Sequence, residues 1–180
     1  MIIAKQKKKE NIAEYILYMW QIEDIIRAYQ LDINEIDKNI VQAFDYPDSV
    51  KKEIQNWYES LIDLMREENK TESGHLQFIK NTLNDLNNSH LFLIQSPDHL
   101  DYIDLYNKAK LGINELMDKS KGTTENEIEA CFNGLYGLLM LRMQHKTISP
   151  ETINALSAVS QMIALLAQKH KMIENGKIEL

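Results

Sequence analysis

Residues 11–30 read NIAEYILYMWQIEDIIRAYQ, and their spacing decides the fold class. Ile12, Ile16, Met19, Glu23 and Ile26 recur at steps of four and three, with Tyr15, Ile22 and Tyr29 on an adjacent stripe. A 3.6-residue period gathers these positions on one broad face, so the segment predicts a helix that buries that face and ends near Gln30. The rhythm continues through Ile33, Ile36, Ile40 and Phe44, then Val50, Ile54, Trp57, Leu61 and Met65. It returns in Leu76, Ile79, Leu83, Leu86, His90 and Leu93, and again in Tyr102, Leu105, Ala109, Gly112 and Leu116. With two further runs after residue 124, the pattern predicts an all-α, single-domain bundle of about seven amphipathic helices.

The ends of these runs carry stop and start signals. Asp32 and Glu35 have capping-box spacing, Pro47 closes the second run, and Asp48 and Ser49 offer caps for the third. The polar stretch 69–74 reads as a loop, and Asn87, Asn88 and Ser89 weaken the fourth helix enough to predict a kink or stop there. Asp98 caps the fifth helix, Thr124 and Glu127 form a second capping box, and Ser149 with Pro150 opens the seventh helix. The short connection between the last two helices requires them to be antiparallel neighbours. Ala130, Gly134 and Gly137 on one, with Ser157, Ser160, Ala164 and Ala167 on the other, predict a close hairpin across small residues. On that reading Ile128, Cys131, Leu135 and Leu138 turn to the common core with Ile153, Leu156, Val159, Ile163, Leu166 and His170.

Domain limits follow from the same pattern. Residues 1–10, with Lys5, Lys7, Lys8 and Lys9, read as a flexible basic arm; residues 11–171 as one helical domain; residues 172–180 as a C-terminal tail. With 180 residues, 44% hydrophobic and 26% charged, the chain has the composition of a folded globular protein. Its net charge of -7 argues against nucleic acid as a partner. The apolar run ACFNGLYGLLMLRM (130–143) falls short of the roughly 20 residues a membrane span needs. No export signal is expected, and Cys131, the single cysteine, suits a reducing, cytoplasmic setting.

Four residues stand out as candidate ligand-binding groups. Glu23 interrupts an apolar seam, with Trp20 and Arg27 within one turn. A carboxylate there must be paired or neutral, either as an acid or base beside an Arg27 that holds an anionic ligand, or in a Glu23–Arg27 bridge at i, i+4 that fixes helix register. His90 sits on another apolar stripe, as a ligand-binding group or as a neutral ring that fills space. The five histidines form no HxxxH, HExxH or Glu-x-x-His motif, so no metal site is expected. Asp98, His99, Asp101 and Asp104 crowd a helix start, where the dipole favours acidic residues without an ion. Cys131 lies mid-helix among apolar neighbours and reads as a core residue rather than a nucleophile. No GxSxG, GxGxxG, Walker or kinase signature occurs, and no cofactor is implied.

The segments NIAEYILYMWQIEDIIRAYQLD (11–32) and EIEACFNGLYGLLMLRMQHKTISPETINAL (127–156) resemble a bacterial family known only as a domain of unknown function, and the likeness extends over nearly the whole chain. The resemblance implies an all-helical soluble protein and brings no activity, cofactor or binding residue. From the residues themselves, the leading reading is a non-enzymatic interaction or scaffold protein. The sixth helix is apolar almost all round and asks for a central place or a covering subunit, which suggests a homodimer or a protein partner. The alternative is a small-molecule-binding or metal-assisted enzyme built on Glu23, Arg27 and His90.

Overall fold

Helix begins ahead of the first apolar stripe. In the computed structural model, which describes residues 2–179, α1 covers Ile2–Glu10, the segment expected as a solvated arm. Ala4 is buried, Lys7 pairs with Glu14 at 2.9 Å, and Lys8 stands 5.5 Å from the centre of the Tyr15 ring. These contacts dock a short, lysine-rich helix onto its neighbour, the tertiary support such a segment needs in water. Asn11 then caps α2 (Ile12–Ala28) by accepting from the N–H groups of Ala13 and Glu14.

α3 (Ile33–Ile36) opens at Asp32, whose carboxylate accepts from the Asn34 N–H as expected, but it runs into a π-helical turn over Asp37–Val41. The wider turn places Val41, five residues after Ile36, in the core, where an α-helical period puts Ile40. α4 (Asp48–Glu67) starts after Pro47 without a side-chain cap, and it buries Tyr58 where Trp57 was expected. α5 (Gln77–Gln95) passes through Asn87, Asn88 and Ser89 unbroken; Ser89 bonds to the Asp85 carbonyl and to His170, so tertiary contacts outweigh weak helix propensity.

A 3₁₀ turn, Pro97–His99, leads into α6 (Leu100–Ser120), in place of a cap by Asp98. α7 (Glu127–Met143) is capped by Asn126, which accepts from the Glu129 N–H, two residues beyond the expected Thr124. α8 (Pro150–Glu174) has the expected start, with Ser149 accepting from the Thr152 N–H, and it continues into the segment expected as a tail. The described residues thus form eight α-helices and no strand.

Contacts gather these helices into two compact units, Met1–Asn81 and Thr82–Leu180, each with its own core. In the first, Ile16, Met19, Trp20, Ile36, Ile54, Tyr58 and Met65 are buried; in the second, Leu86, Tyr102, Ile113, Phe132, Val159 and Leu166. Burial of each such side chain stabilises its unit by about 2 kcal/mol.

In the second unit α7 and α8 pack on each other and both pack on α6, with α8 lying chiefly along α6. Of the expected apolar faces of α7 and α8, Ile128, Cys131, Leu138, Leu156, Val159, Ile163, Leu166 and His170 are buried, Leu135 is half-buried and Ile153 is exposed. The small-residue faces do not meet as expected. Ser157, Ser160 and Ala164 are exposed, and a Cβ on Gly137 would meet nothing within 4 Å. A Cβ on Gly112 would lie 3.4 Å from the Ala155 carbonyl oxygen, and one on Gly134 2.7 Å from a Leu116 methyl of α6 and 3.1 Å from a Leu156 methyl of α8. With α6 as a third helix, α8 turns its apolar face to two neighbours and its small polar face to solvent.

Candidate functional site

Two polar clusters lie inside the apolar cores, one in each unit. In the first, the Glu23 side chain comes off α2 fully buried. One carboxylate oxygen accepts from the Leu76 N–H at 2.8 Å, and the other lies 2.6 Å from His75 Nδ1. The imidazole of His75 stacks on the Trp20 indole, with ring centres 4.1 Å apart and planes 7° from parallel. Arg27, one turn on, does not bridge to Glu23. It pairs with Asp24 at 3.0 Å and donates to the backbone carbonyls of Lys70 and Gly74.

Trp20, Glu23 and Arg27 therefore converge on one target, the loop of residues 70–76. The buried carboxylate satisfies the Leu76 N–H just ahead of α5, and the guanidinium satisfies loop carbonyls that no helix uses. Gly74 takes φ +81°, a left-handed conformation that favours glycine and presents its carbonyl to Arg27. The expected i, i+4 bridge is absent because each partner has a better-placed acceptor or donor across the loop. His75 escaped the sequence reading: it stands in a polar loop, and only folding brings it against Trp20.

His90 belongs to the second cluster, and none of its partners is shared with Glu23. His90 Nδ1 lies 2.6 Å from the Tyr102 hydroxyl, and its ring meets those of Tyr102 and Tyr106 edge-on. Burial pushes the imidazole down to about 4, so the ring is neutral at pH 7. A neutral ring that accepts the Tyr102 proton at Nδ1 carries its own proton on Nε2, which lies 3.9 Å from a Glu127 oxygen. Glu127 in turn accepts from Tyr106 at 2.9 Å and from Lys110 at 2.8 Å, and Lys110 also donates to the Tyr106 hydroxyl.

The charges in this cluster balance locally. Burial pushes the Glu127 carboxyl up, but the hydrogen bonds from Lys110 and Tyr106 outweigh it and hold it below the ordinary range. The hydrogen bond to Glu127 raises Lys110, which keeps the amine protonated and removes it as a nucleophile. Cys131, buried nearby, is pushed up to about 12 by burial and stays a thiol. Glu127 was expected in a capping box; instead Asn126 accepts from the Glu129 N–H and Glu129 accepts from the Glu125 N–H, which leaves Glu127 to face α6. Tyr102, Tyr106 and Lys110 share one side of α6, and that spacing was the available signal.

Elsewhere in this unit Lys169, nearly buried on α8, pairs with Asp101 at 2.9 Å, and that hydrogen bond holds the Asp101 carboxyl below its ordinary range. The pairing commits one of the four clustered residues at positions 98–104. Among the described residues no group of three His, Cys, Asp or Glu side chains is placed to hold a metal ion, and no helix is long and apolar enough to cross a membrane.

The fold and these sites define an all-helical protein whose buried ionisable groups are engaged by their own neighbours. The chain belongs to the family described as Domain of unknown function (DUF4924), whose model matches residues 1–177. No curated protein and no solved structure matches it.

Proposed function

We propose that this chain is a non-enzymatic helical interaction protein that pairs with a second copy of itself through the outer face of α7. One observation carries the reading: residues 130–141 hold no charged side chain, yet the helix they form is not enclosed. Asn133, Gly137 and Leu141 lie exposed at steps of four on one stripe of that helix, and Leu141 is 40% exposed. A charge-free surface wants a partner without charge, and the same face on a second copy meets that need in a two-fold pair. Gly137, with open space above it, lets a second backbone come close.

Trp20, Glu23, Arg27 and His90 have structural roles in this reading, because the His75 ring stacked on Trp20 and the hydrogen-bonding partners of the other three each lie in the same unit and hold the fold. A cytoplasmic setting accords with the single buried thiol, and the net charge of -7 with nucleic acid being no partner. Light scattering tests the proposal. The full chain is expected at twice its monomer mass, and Leu141→Lys at the monomer mass with unchanged helix content. A wild-type chain that stays monomeric at high concentration overturns it.

A further inference from the structure

A groove of about 300 Å³ opens in the first unit between α1, α2, α4 and the start of α5. Tyr15, Trp57, Leu64 and Phe78 give it apolar walls, and Lys5 and Lys8 of α1 stand exposed at its edge. The charge pattern there is opposite to that of the whole chain. Against a net charge of -7, no acidic residue lines the groove. Among the described residues Lys5 has no ion pair or hydrogen-bond partner, and Lys8 faces only the Tyr15 ring. Lys7, on the same helix, is by contrast neutralised by Glu14. Two neighbouring ammonium groups without a counter-charge, beside an apolar hollow, complement a ligand with an anionic head and an apolar body.

Size narrows the class. The volume is at the lower end of ligand pockets, and at about 30 Å³ per water-sized group it holds roughly ten heavy atoms. We propose that this groove binds a small amphiphilic carboxylate of about that length, with its chain against Trp57, Leu64 and Phe78 and its carboxylate between Lys5 and Lys8. This ligand site is independent of the α7 face and stands or falls apart from it.

Calorimetric titration of the full chain with decanoate, kept below its micelle concentration, tests the site. Saturable one-to-one binding is expected. Lys5→Glu combined with Lys8→Glu, which leaves the Lys7–Glu14 pair in place, is expected to weaken it about tenfold, the sum of two partly screened ion pairs. Ser60→Trp, at an exposed position on the groove wall, is expected to abolish it while circular dichroism stays unchanged. Decyltrimethylammonium, of equal length and opposite charge, is expected not to bind. The proposal is overturned by no saturable decanoate binding, by binding that neither variant alters, or by equal binding of the cation. A fall in mass of Ser60→Trp by light scattering, with no decanoate binding to the wild type, also overturns it and gives the groove to a helix of a second copy.

Discussion

At the scale of single residues, Glu23 and His90 were both expected as polar exceptions on apolar stripes, and both are buried. What the stripes could not disclose is the partner. Glu23 holds the start of α5 through the Leu76 N–H and His75, so its removal leaves a buried donor and an imidazole without their acceptor. Glu23→Ala is expected to lower unfolding free energy by about 3 kcal/mol, measured in urea, the scale seen when one partner of a buried pair is deleted. His90 gives a pH signature. Its folded value of about 4 lies below the ordinary 6.5, so the unfolded chain binds the extra proton first as pH falls. The stability tied to its neutrality is complete above pH 6.5 and is lost progressively down to about pH 4, a loss on the order of 3 kcal/mol. Chemical unfolding of wild type and His90→Gln across that window should show the steeper fall in the wild type. Equal slopes would mean that His90 is not held neutral.

At the scale of helices, the starts of α2, α3 and α8 were legible because a cap is a local event: Asp32 and Ser149 sit next to the N–H groups they satisfy. The start of α7 was not, because Asn126–Glu129 and Thr124–Glu127 have the same spacing. The choice between them depends on α6, which supplies Tyr106 and Lys110 to Glu127. The π-helical turn after α3 was equally hidden, since it answers to what Val41 must reach rather than to local propensity. Glycines on α6 and α7 test the packing with opposite signs. In Gly134→Ala the new methyl would come within 2.9 Å of both Leu116 methyls, so a loss of about 1–2 kcal/mol is expected from overpacking. In Gly112→Ala it would meet Ala155 and Val159 at ordinary contact distance, so better helix propensity should add about 0.5 kcal/mol. Thermal unfolding of the two variants would be expected to diverge; a shared sign would contradict the α6-centred packing.

At the scale of the whole chain, pairing through α7 makes stability depend on concentration, because a partner that binds only the folded form raises Tm by mass action. The wild-type Tm is expected to rise with protein concentration by calorimetry, and the Leu141→Lys variant to hold a constant Tm. The all-α class followed from sequence alone, because helical periodicity is a property of neighbours along the chain and survives in any arrangement of helices. The buried placement of Glu23 and His90 followed for the same reason, as did the inward faces of α7 and α8. Tertiary structure alone decided the rest. It turned residues 2–10 into a docked helix, brought His75 onto Trp20, redirected Arg27 from Glu23 to loop carbonyls, and set α6 against the faces of α8. α1 docks through partners seven residues along, across the break at Asn11; in the other cases the deciding energy comes from groups far apart in sequence, whose pairing a local pattern does not encode.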